Sequence, residues 1–180
     1  MHRNHLLTLL DRYKRRFPSE SLMASRMRYF VAHQRCCFDR ELSLGHVTGS
    51  AWLLDARRQR VLLTHHAKLD KWMQLGGHAD GESDVASVAH REAAEESGIA
   101  DLRLLSPELF DIDIHLIPAR RNEPSHYHYD CRFVLQCIDN EDYVVSDESH
   151  DLRWIPIDDV HTYTREPSVM RMVAKTRTVG

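Results

Sequence analysis

The stretch Arg91-Glu92-Ala93-Ala94-Glu95-Glu96 gathers three carboxylates at a spacing that suits one cation. On a helix, Glu92, Glu95 and Glu96 stand at i, i+3 and i+4 and share a face. Carboxylates that close repel one another unless a cation neutralises them, and hard oxygen donors select Mg2+ or Mn2+ rather than zinc. Magnesium usually binds through a few carboxylates plus substrate phosphate oxygens, so a small-molecule diphosphate is the natural partner. Arg91, four residues before Glu95, can orient that carboxylate through a two-pronged hydrogen bond. Upstream, Gly76-Gly77-His78-Ala79-Asp80-Gly81-Glu82 reads as part of a glycine-containing loop over Gln74–Glu82, where backbone can approach a ligand unobstructed. Arg-Glu-x-x-Glu-Glu alone also suits a solvated acidic face; the glycine loop before it and Gly98-Ile99 after it argue for chemistry.

Taken together, the segment resembles the Nudix box, Gly-x5-Glu-x7-Arg-Glu-U-x-Glu-Glu-x-Gly-U with U apolar. Arg91 through Ile99 fit without a gap, and the box glycine falls on Gly77. The box glutamate position falls on Ser83, one residue past Glu82, so Glu82 is out of register with the helical glutamates. The resemblance implies a Nudix-like α/β/α sandwich with a mixed sheet. It also implies metal-dependent hydrolysis of a diphosphate linkage in a nucleoside diphosphate derivative or related molecule. Carried over by position, Glu92, Glu95 and Glu96 become ligands for Mg2+ (or Mn2+), Gly76 lends its carbonyl, and Arg91 orients. Glu148 becomes a candidate for the late carboxylate, base or ligand, that several Nudix enzymes take from outside the box. Two other readings stay open: a Nudix-like sensor without turnover, and an isopentenyl-diphosphate-isomerase-like enzyme, which would need a cysteine in the site. Subgroup signatures do not settle the substrate. The positions of the ADP-ribose subgroup's proline hold Ile114 and His115, Ile114–Pro118 has no diadenosine-type tyrosine, and Thr64–Gly76 lacks an evident coenzyme A motif.

A second constellation lies further on. As a strand, His126–Phe133 puts His126, His128, Asp130 and Arg132 on one face and Tyr127, Tyr129, Cys131 and Phe133 on the other. Asp111, Asp113 and His115 alternate likewise, and a hairpin through Pro118–Ser125 could join the two polar faces. This gives a substrate pocket built on His126, His128 and Asp130, or a second metal site without standard zinc spacing, or an ordinary solvent face. Arg120 and Arg121 could meet phosphates, and Trp52, Trp72 and Trp154 could stack on a base or fill the core.

The elements that must position these residues follow from periodicity. Leu6, Leu7, Leu9, Leu10, Tyr13 and Phe17 fall at helical spacing up to Pro18. Ser19 is placed to cap a second helix carrying Leu22, Met23, Met27, Phe30 and Val31. Residues 1–40 therefore read as a helical extension packed on a 41–180 domain, or as a dimerisation element. Val47–Leu54, Arg60–Thr64, Leu102–Leu105, Leu109–Ile117, His126–Ile138 and Leu152–Ile155 read as strands. Asp84–Ser97 reads as a helix with Val85, Val88, Ala89 and Ala93 inward and Gly98 as its stop; Val169–Ala174 reads as a last helix.

The 180 residues suit one domain with an extension. Lys+Arg 24 against Asp+Glu 27 gives −3, which points to neither a nucleic-acid polymer nor anionic lipid. Apolar runs are too short to span a bilayer, and Met1–Leu7 lacks the features of a signal peptide, so a cytoplasmic location is expected. Cys36, Cys37, Cys131 and Cys137 form no C-x-x-C pair and read as free thiols.

Overall fold

The computed structural model describes residues 2–119, 124–146 and 149–178. Two strands form its spine. β1 (Gly45–Leu54) and β7 (His126–Cys137) run parallel, in register from Gly45↔Tyr127 to Leu54↔Gln136. At one end, β4 (Leu75–His78) pairs antiparallel with β1 and β6 (Asp111–Ile117) pairs antiparallel with β7. At the other end, β1 meets β2 (Arg60–His66) and β7 meets β5 (Leu102–Leu104). β2 also carries β3 (Lys71–Met73) and β8 (Ser149–Pro156). This is the mixed sheet expected from the sequence.

The period of two along each strand divides the core between the sheet faces. Val47, Ala51, Leu53, Phe133 and Leu135 face one cluster with α3 (Val85–Ser97). Trp52, Leu54 and Val134 face the other, with Val169, Met172 and Val173 of α5 (Pro167–Thr176), which follows the short α4 (Val160–Tyr163). Helices on both faces complete the α/β/α sandwich.

The leader forms α1 (Asn4–Arg16) and α2 (Ser21–His33). Leu6, Leu9, Leu10 and Tyr13 of the first helix, and Ala24, Met27, Phe30 and Val31 of the second, join the α3-side core. Phe30 stacks on Tyr129 with ring centroids 3.7 Å apart. Two local expectations need correction. Ser19 does not cap α2 but lies in a 3-10 turn, Pro18–Glu20, because Glu20 is drawn to Tyr13 and Lys175. Leu22 is 68% exposed, as the buried face of α2 falls on Ala24 and Met27 instead.

A buried charge network ties leader to sheet. Fully buried Asp111 accepts from Lys175 Nζ at 2.6 Å, Arg171 Nε at 2.8 Å and Arg132 Nη1 at 3.0 Å. Tyr13 donates to Glu20 at 2.5 Å and accepts from Lys175 at 2.6 Å. Burial, reinforced by Asp111 and Glu20, keeps the Tyr13 hydroxyl protonated.

Candidate active site

The polar face lies at the β4–β1–β7–β6 end of the sheet. The residues of β1 that continue the Trp52–Leu54 face are His46, Thr48 and Ser50, opposite His128, Asp130 and Arg132 of β7. A cavity of about 350 Å3 opens here, lined by these strands, by Gly76, Gly77 and His78 of β4, and by Glu92 of α3. Structure thus brings the box and the histidine strand, separate in sequence, to one cavity.

The box helix begins where Asp84 caps it, its carboxylate accepting from the backbone N–H of Ala86 and Ser87. It ends at Gly98, in the left-handed region at φ 73. Val85, Val88, Ala89 and Ala93 are buried as expected, which turns Glu92 and Glu96 aside from the core and leaves Glu95 exposed. Arg91 Nη1 lies 2.8 Å from Glu92 Oε1 and 3.6 Å from Glu95 Oε2, while Nη2 donates to the His78 carbonyl at 3.0 Å. One guanidinium therefore fixes two box carboxylates relative to β4.

The expected loop Gln74–Glu82 is in part the strand β4. Its glycines serve close packing: a Cβ on Gly76 would strike Ser50, and one on Gly77 would strike the Glu92 carboxylate. The space against β4 is thus filled by Glu92 because position 77 has no side chain. A hard oxygen set on Glu92, Glu95 and Glu96, with one member seated in this cradle, fits Mg2+ or Mn2+. Glu82 turns to the helix entry, where its Oε1 accepts the Asp84 N–H at 2.8 Å.

Asp130 lies on the cavity floor, 2% exposed. Its carboxylate accepts from Thr48 at 2.9 Å, Ser50 at 2.7 Å, Gln74 at 3.2 Å and Arg132 Nε at 2.7 Å. With that many donors it holds other side chains in place. Burial alone would lower the basicity of Arg132, but Asp130, Asp111 and Asp113 outweigh it and raise it.

His126 and His128 also line the cavity, Nε2 to Nε2 at 3.3 Å, and the His126 Nδ1 lies 2.9 Å from the Pro124 carbonyl. His115 stands beside them, bonded to Asp113 at 3.1 Å. Sequence reasoning did not place His46 or His78 here, nor Thr48, Ser50, Gln74, Arg40 and Lys68, which line the same cavity or its histidine cluster. The signal available was the alternation His46, Thr48, Ser50 in an otherwise apolar strand. Burial, then the His78 and His126 rings, pushes His46 down to about 4; burial, then His46 and His115, pushes His128 down to about 2. Both His46 ring nitrogens are buried without a hydrogen-bond partner, and an unmet buried polar atom costs about 1–3 kcal/mol.

Arg120, Arg121 and Glu148 lie outside the described residues. Trp52 is buried and donates to Thr176 at 2.8 Å, whereas Trp72 stacks on His65 and Trp154 donates to the Glu141 carbonyl, none of them in this cavity. Among the described residues, no cysteine lines the cavity either.

The family model for the NUDIX domain matches residues 45–175, and the chain belongs to that family. Its enzyme class is that of a pyrophosphohydrolase. A NUDIX-family hydrolase from Clostridium perfringens is 22% identical with a TM-score of 0.58, covering 75% of this chain and 98% of that one. The C. elegans Ap4A hydrolase binary complex is 15% identical with a TM-score of 0.59, covering 73% and 95%. The NUDIX domain of Shewanella oneidensis NrtR, complexed with ADP ribose, is 15% identical with a TM-score of 0.56, covering 83% and 96%. At such identities these likenesses show the fold. No curated protein matches the chain. No helix among the described residues is long and apolar enough to cross a membrane.

Proposed function

We propose that the chain hydrolyses the diphosphate linkage of a nucleoside diphosphate derivative with Mg2+ (or Mn2+), in the cytoplasm, as a monomer or homodimer. The observation that carries this reading is the Glu92 carboxylate seated against Gly77 and held by Arg91, in the same cavity as the polar face of β7. Glu92, Glu95, Glu96 and the Gly76 carbonyl hold the cation. When bound, it polarises the phosphoryl group and helps water attack near neutral pH. Arg91 orients Glu92 and Glu95. Lys68 and Arg40, on the cavity wall, face the charge of the phosphates. His126 and His128 stack their ring faces on the remainder of the substrate, and Asp130 fixes the floor beneath it. Glu148 remains the candidate for a late carboxylate. Residues 1–40 act as an extension docked on the 41–180 domain.

The test is a substrate panel with Mg2+, beginning with ADP-ribose and diadenosine tetraphosphate, read by released phosphate, AMP or other mononucleotide. Glu95→Gln and Glu96→Gln should each lower kcat by roughly a hundredfold or more. Near-normal turnover in both at saturating substrate would sink the ligand assignment. Tight binding of a panel member that stays intact in the unaltered protein would favour a sensor.

A further inference from the structure

The histidines of the cavity have a property that phosphate hydrolysis on the box glutamates does not use. His46, His78 and His128 each offer a ring nitrogen, and these atoms lie within 4.8 Å of one another. The sheet puts them there. His46 and His128 are direct register partners across β1 and β7, while His78 is the register partner of Thr48, two residues along β1 on the same face. Three adjacent hydrogen-bonded strands thus supply one imidazole each, with ring centroids 4.8–5.1 Å apart.

Two further observations point to a ligand. His46 is 1% exposed, yet neither of its ring nitrogens has a hydrogen-bond partner, although buried imidazoles ordinarily find one. His128 is oriented from behind. The Pro124 carbonyl can only accept, so His126 Nδ1 carries the proton and its Nε2 is the lone-pair atom facing His128 Nε2. His128 Nε2–H then donates to His126, leaving Nδ1 as the lone-pair nitrogen of His128. A metal-binding histidine characteristically has its second nitrogen fixed by such a chain.

We propose that His46, His78 and His128 form a second metal site, for a zinc-class divalent transition ion, distinct from the hard-cation site on the glutamates. Imidazole nitrogen suits such ions, whereas Mg2+ prefers oxygen and sheds water reluctantly. Ligand nitrogens in a tetrahedral zinc site stand about 3.3 Å apart, so the ligand nitrogens must close by up to about 1.5 Å through side-chain rotations. Three protein ligands leave one coordination position, open to the cavity for water or a substrate oxygen. His126 is a positioning residue for His128.

The test reads metal, not turnover, so it stands apart from the hydrolase reading. The full chain is stripped with chelator and titrated with Co2+ in excess Mg2+, following the visible spectrum, and with Zn2+, following bound metal after gel filtration. One equivalent of each is expected, Co2+ with the intense bands of low coordination. His46→Asn and His78→Asn should each weaken binding by roughly a hundredfold or more, and His126→Ala by roughly tenfold or more. Glu95→Gln should leave it unchanged. No stoichiometric ion in the unaltered chain overturns the proposal, as does an ion lost in Glu95→Gln and kept in the histidine variants. If buried His46→Asn fails to fold, the more exposed His78→Asn and the unaltered chain still decide it.

Discussion

Gly77 has no Cβ in the space that the Glu92 carboxylate fills. A methyl group there must push the carboxylate away from β4 and from the His78 carbonyl that Arg91 also holds. Gly77→Ala should therefore lower kcat by tenfold or more and raise the Mg2+ concentration needed for half-maximal activity. A folded Gly77→Ala protein with an unchanged Mg2+ requirement would remove Glu92 from the cation site.

Glu82 behaves as a helix-entry residue. Its oxygen accepts the Asp84 N–H, which a glutamine oxygen can also do, so Glu82→Gln should change kcat/KM less than about threefold. Asp84→Ala removes the acceptor for the Ala86 and Ser87 N–H groups. That should cost about 1 kcal/mol and lower Tm by about 2–4 °C. Equal losses of activity in Glu82→Gln and Glu95→Gln would show that Glu82 joins the box carboxylates.

Acid should destabilise the metal-free protein through its buried imidazoles. The folded state resists protonating His46, down to about 4 from an ordinary 6.5, and His128 further still. Between those values the unfolded chain binds more protons, so stability is fully present above about pH 6.5 and is lost as pH falls. For His46 this amounts to roughly 3 kcal/mol at about 1.4 kcal/mol per tenfold change in proton affinity. Thermal melts in chelator should fall from neutral pH to about pH 4, and His46→Asn should flatten the slope. An equally steep slope in that variant would place the acid sensitivity elsewhere.

Asp111 neutralises three cations, one on β7 and two on α5. Asp111→Asn leaves Arg132, Arg171 and Lys175 short of a buried charge partner and should cost about 3–5 kcal/mol. A chemical-denaturation midpoint within error of the unaltered protein would show the network to be energetically slack. Deleting residues 3–35 should uncover the core around Ile112, Cys131 and Phe133 and lower solubility or change the oligomer. An unchanged Tm and elution volume would show the leader to be a loose tail.

The box helix was legible because local spacing decides it: Val85, Val88, Ala89 and Ala93 mark its inner face, and Gly98 its end. The strict alternation of His126–Phe133 likewise announced a strand with one polar face. β4 was not legible, since Gly76 and Gly77 have no side chains to carry a period, and its pairing depends on β1. The meeting of His46 with His128 depends on a parallel pairing between strands far apart in the chain. Sequence prints which residues alternate, but not which strands become neighbours. The leader's inner face was half read: Met27, Phe30 and Val31 are buried, but Leu22 points outward because Ala24 packs instead.

The Asp111 network also fixes an order of events during synthesis. Tyr13 and Glu20 leave the ribosome before Asp111 and Arg132, and Arg171 and Lys175 follow after both. Until α5 emerges, the Asp111 carboxylate lacks two of its cations and the Tyr13 hydroxyl lacks the Lys175 ammonium, so burying them is premature. The nascent leader can coil early, but it cannot be locked to the sheet until translation has passed residue 175. Docking of the leader on the sheet therefore waits for α5, even though the leader itself is made first.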